Sequence, residues 1–342
     1  MQVMQYAFKL AVISLGLVLI AIYYHLDYSH VVTFGCGIVF AALVVESAFF
    51  DVLRGIIEYL FTPSTYNYGL DHAVLNARVD SLWLNMGLWT SDEMSFQEAT
   101  QGLLRKVVES LNLKKAHTLV DFGYGCGDQD NWLSTNYPNL SITGVTLEPS
   151  HVSAARSRFR SPNLSFLIGD AADPSTWRDE YKSAVPVKPE QFDAALSLDS
   201  AYHYNTRKAW LAITYGMLRK GGRLAIGDII IGPGAQSSFW NRCVVNLFCI
   251  LAGVPMDNLI SEDVYKRNLE DVGFVEVQVV NISDQVLPGM SKFLMRHKGY
   301  MENVVSIPYR WRRYESLSGF LAFVYGKDIL RFVVATGRRP SA

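Results

Sequence analysis

A glycine-rich run at residues 119–129, with the sequence LVDFGYGCGDQ, constrains the fold of this chain more than any other segment. It begins as a short apolar strand carrying Asp121, and three glycines follow at alternate positions, Gly123, Gly125 and Gly127. Glycine adopts positive φ at little cost and lets backbone N–H groups approach a ligand closely. The run predicts a strand-to-helix turn that cradles a ligand, although a dinucleotide-binding turn or a purely structural turn fits the same spacing.

Downstream of this turn, short apolar segments alternate with amphipathic ones, which indicates a parallel sheet covered by helices on both faces. The predicted strands are residues 118–122, 141–146, 164–168, 192–198 and 223–229. Ligands of such sheets lie beyond the carboxyl ends of the strands. Each predicted strand is followed there by acids or hydroxyls, so the strand ends together indicate a binding site far more strongly than the glycine turn alone.

Five segments, VDFGYGCG at 120–127, GVTL at 144–147, GDA at 169–171, FDAALSLD at 192–199 and LRKGGR at 218–223, resemble the class I S-adenosylmethionine-dependent methyltransferases in order and spacing. Upstream, LNMGLW at 84–89 resembles a segment of the subgroup that contains sterol, tocopherol, cyclopropane-fatty-acid and small-natural-product methyltransferases. The resemblance covers residues 66–339. It implies a Rossmann-like, seven-stranded α/β sheet with helices on both faces and S-adenosylmethionine as the cofactor.

The resemblance also implies where the cofactor binds. Asp121 and the amides of the three glycines would hold the methionine moiety, a carboxylate being electrostatically suited to a cationic cofactor. Thr146, Leu147 and His151 are the ribose candidates, although His151 also fits a solvated helix residue. The adenine would meet Asp170 and the Ala171 amide. The full predicted cofactor set is Asp121, Gly123, Gly125, Gly127, Gln129, Thr146, Leu147, His151, Asp170, Ala171 and Leu198.

Asp199 to His203 resembles the active-site loop of the subgroup. Methyl transfer depends on an in-line approach of the acceptor, and a base is needed only when the acceptor loses a proton. His203 is the predicted base, with a structural histidine as the alternative. Asp199 and Asp228 complete the predicted catalytic set, with Asp228 orienting His203, binding substrate or capping a helix. No metal site is expected, and Cys126 is expected to be non-catalytic because nothing nearby in sequence lowers its pKa.

The N-terminus carries two apolar runs, residues 6–24 and 31–50, joined by a short polar turn. The first spans about 28 Å as a helix, close to the thickness of a bilayer core. We expect a transmembrane hairpin rather than a cleaved signal peptide, since no basic region precedes the first run and a second run follows at once. The turn contains no Lys or Arg, whereas Lys9 and Arg54 flank the hairpin, which favours a cytosolic catalytic domain at the endoplasmic reticulum or another endomembrane.

The expected domains are therefore residues 1–62, the hairpin with an amphipathic membrane-surface helix, and residues 63–342, the methyltransferase domain with a lid at about 235–262. An apolar lid beside a membrane anchor favours a small lipophilic acceptor such as a sterol, terpenoid, prenylated ring or lipid. A cyclopropane-type or sphingolipid-type enzyme acting on a lipid chain is the first alternative, and a non-catalytic cofactor-binding protein is the second. The formal net charge of −1 gives no indication of a nucleic-acid partner.

Overall fold

The computed structural model describes residues 81–179, 184–301 and 308–341. Helices and strands alternate through most of this part of the chain. In order they are α1 Phe96–Val108, β1 Thr118–Phe122, α2 Asp128–Asn136, β2 Ser141–Thr146, α3 Pro149–Arg158, β3 Leu164–Asp170, β4 Asp173–Arg178, β5 Phe192–Leu198, α4 Arg207–Met217, β6 Leu218–Ile231, α5 Phe239–Ala252, α6 Glu262–Val272, β7 Val275–Asn281, α7 Ser283–Met301, α8 Pro308–Gly326 and β8 Leu330–Arg338.

The strands form one sheet in the order β4-β3-β2-β1-β5-β6-β8-β7. The pairs from β3 to β6 are parallel, and β8 pairs antiparallel with both β6 and β7. The expected Rossmann-like sheet is confirmed, but the expected number of seven strands is wrong. β4 adds an eighth strand, antiparallel to β3, and Trp177 within it is buried against Phe122 with ring centroids 5.9 Å apart.

Helices cover both faces of the sheet because successive strand residues point to opposite sides. Leu119 belongs to a core that also contains buried side chains of α1, α7 and α8. Val120 and Phe122 belong to a second core, closed by α4 and α6. Ser95 caps α1 by accepting from the amide of Glu98, whose side chain accepts in return from the Ser95 amide. Both cores leave the carboxyl ends of the parallel strands at one edge of the sheet.

The C-terminal third differs from the sequence-based expectation. The sequence of residues 289–304 predicts a helix there, but α7 begins at Ser283 and continues through Pro288. Asn281 stabilises this earlier start, since its side-chain oxygen accepts from the Ser283 amide at 2.9 Å. The helix α8 was not expected at all. Its residues 310–313 carry three arginines, which obscure the apolar spacing of its second half, where Leu321 and Val324 are buried.

The predicted transmembrane hairpin at residues 6–50 and the surface helix after it lie outside the described residues. Among the residues that are described, we find no helix with the length and apolar character needed to cross a bilayer. The hairpin therefore stays a prediction.

Candidate functional site

The glycine-rich run forms the expected turn between β1 and α2. Gly123, Gly125 and Gly127 all have positive φ, at 78°, 60° and 86°. A Cβ on Gly123 would collide with the side chain of Ser200, and a Cβ on Gly127 would lie 2.8 Å from Ala155. The strand-to-helix turn predicted from the spacing is thus confirmed, and no larger residue fits at its first and third glycines without displacing neighbours.

Asp121 and Gln129 meet beneath the turn. The Gln129 amide donates to Oδ2 of Asp121 at 2.5 Å, while Oδ1 of Asp121 has no hydrogen-bond partner among the described residues. Asp130 of α2 is fully buried beside them. Burial raises the pKa of both carboxyl groups, and the charge of Asp121 raises the pKa of Asp130 further, so the pair retains a proton more readily than exposed carboxyls do.

The two residues that interrupt the glycines have packing roles. Tyr124 is buried, and its ring lies 5.1 Å from that of Phe166. It fills the space above Gly144, where a Cβ would collide with the tyrosine ring. Cys126 is buried, and burial raises the pKa of its thiol to about 12, which disfavours the reactive thiolate.

The end of β2 carries the three predicted ribose residues. Thr146 and His151 are buried, so the alternative of a solvated His151 is wrong. Glu148 caps α3 between them, accepting from the Ser150 amide. Leu147 is 66% exposed, which is unusual for a leucine at the end of a buried strand. Its side chain is therefore accessible at the edge of the sheet where the cofactor is expected.

The end of β3 carries Asp170 and Ala171. One oxygen of Asp170 accepts from the Ala172 amide at 2.8 Å, and its backbone amide donates to Thr176 at 2.8 Å. Ala171 is buried. The local turn therefore fixes the direction of the Asp170 side chain, and only one of its oxygens is occupied by that turn.

Asp199 follows β5 and joins the active-site loop to the upstream segment that resembles the subgroup. Its Oδ2 accepts from the Met86 amide at 2.8 Å, and its Oδ1 accepts from the Tyr202 hydroxyl at 3.1 Å. Burial raises the pKa of Asp199 to about 7. Leu198, before it, is buried. The upstream segment also places Leu84 across the glycine turn, 3.3 Å from where a Cβ of Gly125 would lie.

His203 ends the 3-10 helix Ala201–His203 in the same loop. Its imidazole forms a hydrogen bond with the backbone of Gly253, which follows α5. Since the Gly253 amide itself donates to Cys249, the histidine N–H donates to the Gly253 carbonyl. Burial lowers the pKa of His203 to about 4, so the ring is neutral at physiological pH and its second nitrogen is an acceptor.

Asp228 does not orient His203, and this part of the prediction is wrong. The Asp228 Oδ2 accepts from Arg207 at 2.6 Å and from the Tyr265 hydroxyl at 2.7 Å, while its Oδ1 accepts from the Ile229 amide at 2.9 Å. All three side chains are buried. The carboxylate therefore forms a buried ion pair with Arg207 of α4 and accepts a further hydrogen bond from Tyr265 of α6. Since Asp228 lies within β6, it does not cap a helix either.

The structure thus brings most of the predicted site together at one edge of the sheet. The turn after β1 contacts the loop after β5 through Gly123 and Ser200, and the Tyr204 hydroxyl lies 2.9 Å from Ser197 in the same place. The Gly123 amide donates to Val145 of β2 at 2.8 Å. Sequence reasoning missed Ser200 as a neighbour of the turn, although its position next to Asp199 placed it at the strand end.

Comparison with known proteins agrees with this geometry. Residues 120–226 match the family described as Methyltransferase domain. The erythromycin 3''-O-methyltransferase of Saccharopolyspora erythraea is 30% identical over 278 residues, which cover 78% of this chain and 86% of that protein. An S-adenosyl-L-methionine-dependent Diels-Alderase of Talaromyces variabilis is 26% identical over 265 residues, covering 74% of this chain and 85% of the relative. The cyclopropane synthase of Mycobacterium tuberculosis shares the fold, with a TM-score of 0.62 at 15% identity, covering 82% of this chain and 95% of the synthase.

The chain belongs to the class I S-adenosylmethionine-dependent methyltransferases. The cofactor is S-adenosylmethionine, and the turn fits it in two respects. The positive φ of the glycines lets the backbone approach a ligand where a Cβ would collide with neighbours, and a buried oxygen of Asp121 lacks a partner in the described part of the chain. The amides of Gly123 and Gly127 donate instead to the backbone carbonyls of Val145 and Tyr124, contrary to the expectation that all three glycine amides hold the methionine moiety. When bound, the cofactor supplies a methyl group on a sulfonium centre.

Proposed function

We propose that this protein is a membrane-anchored O-methyltransferase whose acceptor is a hydroxyl group of a small lipophilic natural product. The hairpin at residues 1–62 would hold the catalytic domain at the cytosolic face of the endoplasmic reticulum or another endomembrane. The erythromycin relative, an O-methyltransferase by name, supports the choice of oxygen as the methylated atom.

The observation that carries the proposal is the state of His203. A half-buried, neutral imidazole whose N–H is directed to the Gly253 carbonyl has a second nitrogen with the chemistry of a proton acceptor. Methylation of a hydroxyl produces an oxonium, which is a strong acid, so even an imidazole with a pKa of about 4 accepts its proton. Methylation of an alkene carbon would instead call for aromatic faces around a carbocation. Of the aromatic residues in the described chain that could supply such faces, Trp89 is packed against Phe293 with ring centroids 5.0 Å apart, and the Tyr202 ring lies against His203.

The helix α5 supports a lipophilic acceptor. It lies within the predicted lid, and it is apolar along most of its length, yet only Cys249 within it is fully buried. Phe239, Trp240 and Ile250 are 62%, 68% and 72% exposed. Apolar side chains at such exposure are typical of a surface that meets a hydrophobic ligand or a membrane.

The test of the reaction is incubation of the full-length protein with methyl-labelled S-adenosylmethionine and a lipophilic extract. We expect labelled product and S-adenosylhomocysteine in equal amounts, with the labelled methyl group bonded to an oxygen atom of the product. His203→Ala should lower kcat by about 10²–10⁴-fold, the usual contribution of a positioned base, while cofactor binding stays unchanged. A rate within about twofold of the wild type would remove His203 as the base.

The test of the membrane anchor is alkaline extraction of membranes that contain the full-length protein, followed by protease treatment of sealed vesicles. We expect the protein to stay in the membrane pellet and its catalytic domain to be digested from the cytosolic side. Release of the protein by alkali would exclude the hairpin, and protection of the catalytic domain would exclude the cytosolic orientation.

A second candidate comes from the Diels-Alderase relative, which is described as S-adenosyl-L-methionine-dependent although a Diels-Alder reaction transfers no methyl group. In that case the protein would bind the cofactor without consuming it. The labelling experiment separates the two candidates, since a rearranged product without S-adenosylhomocysteine favours the second.

A further inference from the structure

The segment between α5 and α6 contacts the active-site loop at two points. Gly253, which ends α5 in the left-handed conformation with φ at 60°, accepts the hydrogen bond from the His203 imidazole. Five residues later, Asn258 ends the 3-10 helix Met256–Asn258 and is only 1% exposed. A buried side-chain amide has to satisfy its hydrogen bonds within the protein.

Asn258 satisfies them on the loop that carries His203. Its side-chain amide donates to the backbone carbonyl of Tyr202 at 2.9 Å and to that of Tyr204 at 2.6 Å. These carbonyls belong to the residues immediately before and after His203. Its side-chain oxygen accepts from the Arg207 backbone amide at 2.9 Å, and its backbone carbonyl accepts from the Arg207 guanidinium.

The donors and the acceptor of the Asn258 side chain are thus all in use, and two of these bonds hold the main chain on either side of His203. The imidazole itself is held by Gly253, from the same short segment. Because a hydrogen-bonded side chain with three fixed partners has little freedom, the position of this segment determines the position of the ring.

We infer that Asn258 is a positioning residue that fixes the His203 loop against the segment following α5. The imidazole thereby keeps a fixed position relative to the predicted lid. This inference rests on the proposed function, in which His203 accepts the proton of the substrate hydroxyl. Asn258 itself has no catalytic role in it, since both its donors are directed to backbone carbonyls.

Titratable groups on the surrounding elements are few and already engaged. The Tyr202 ring packs against the imidazole, with the two ring centroids 4.1 Å apart. Its hydroxyl donates to Asp199 at the end of β5. From α4 and β6, Arg207 and Asp228 are paired with each other. The low pKa of His203 results from burial, opposed only by the bond to Gly253, so loosening of the loop would expose the ring and raise its pKa toward the ordinary value.

The test is a titration of His203 by NMR in the full-length protein labelled at histidine Cε1. The chain has seven histidines, and the signal of His203 is assigned by its loss in His203→Gln. We expect a pKa near 4 in the wild type and a value higher by at least one unit in Asn258→Ala. We also expect kcat to fall by at least about 10-fold with the dissociation constant of the cofactor unchanged, since a small misplacement of a reacting group is costly.

Two further variants keep the test decisive. Asn258→Leu has the same branched shape and the same number of side-chain heavy atoms but no polar group, so it replaces Asn258→Ala if the alanine variant fails to fold, with the same expected shift. Asn241→Ala is the matched control, because Asn241 also donates twice, to Gly234 at 2.7 Å and to Ser237 at 3.0 Å, but at the start of α5. Its His203 titration should equal that of the wild type.

The inference is overturned if the foldable Asn258 variant leaves the His203 titration unchanged, or if Asn241→Ala shifts it equally. Failure of the proposed function has a different signature. If His203→Ala retains the wild-type rate while Asn258→Ala still raises the His203 pKa, then Asn258 positions the ring but the ring is not the base.

Discussion

The guanidinium of Arg207 lies 2.6 Å from the carboxylate of Asp228, and the two side chains are 2% and 0% exposed. The guanidinium also lies over the Tyr265 ring, 4.1 Å from its centroid. Arg207 begins α4 and Asp228 lies in β6, so this pair ties the helix after the active-site loop to the centre of the sheet. An ion pair removed from water in this way is costly to break, because the remaining charge has no solvent to stabilise it.

Removal of one partner of this pair should destabilise the fold strongly. Arg207→Met or Asp228→Leu alone should each lower the free energy of unfolding by about 3–5 kcal/mol, whereas the double variant should lose less than the sum. Urea denaturation of the three variants measures this directly. The exposed pair Lys292–Asp92, at 3.0 Å, is the control, and Asp92→Asn should cost less than about 1 kcal/mol. Additive losses in the double variant would contradict the coupling.

The glycine turn should tolerate no side chain at its centre. Gly125→Val should abolish binding of S-adenosylhomocysteine in calorimetry while the fold is retained, because position 125 has a φ of 60° and faces Leu84. Gly216→Ala is the control. That glycine lies in α4 with open space where a Cβ would be, so the variant should bind normally and be more stable by up to about 1 kcal/mol. Unchanged affinity in Gly125→Val would remove the turn from the cofactor site.

The helices and strands that could be predicted from the sequence are those whose local residue preferences agree with the tertiary structure. The strand β1 and its turn combine an apolar run with alternate glycines, and the sheet places them as expected. The strand β4 was missed because its sequence, DPSTWR, contains a proline and hydroxyls that are typical of loops. Burial of Trp177 outweighs these local preferences, and such a contact is not visible in the sequence.

The site was predicted better at the strand ends than in the contacts between them. Strand order alone places Asp121, Thr146, Asp170 and Asp199 at one edge. The roles of Asp228 and Asn258 depend instead on their shared partner Arg207, which lies 21 and 51 residues away from them along the chain. Asp228 lies near the carboxyl end of a strand, as the binding residues do, and only the packed structure reveals that its carboxylate is already engaged.

Asp199 should make the stability of the protein depend on pH. Its pKa is raised from 3.8 to about 7 in the folded state, so the native state retains a proton that the unfolded state has lost, and stability decreases as pH rises from about 4 to 7. Asp199→Asn should remove that part of the decrease, at most about 4 kcal/mol at 1.36 kcal/mol per pKa unit. Urea denaturation of both proteins between pH 4.5 and 8 measures the difference. Parallel curves would show that Asp199 is ionised in the native protein throughout this range.

The cysteines should react with alkylating agents in an order set by burial. The thiolate is the reactive form, and burial raises the pKa of Cys126 to about 12 and also raises that of Cys249. Cys243, on α5, is only partly buried. Among these three cysteines, we expect iodoacetamide to modify Cys243 of the native protein first and Cys126 only after denaturation. Peptide mass spectrometry over a time course at pH 8 measures the order of modification. In 6 M urea, a condition chosen to unfold the chain, the difference in rate between the cysteines should disappear. Rapid native labelling of Cys126 would mean that the glycine turn opens to solvent, which would contradict the packing of its side chain.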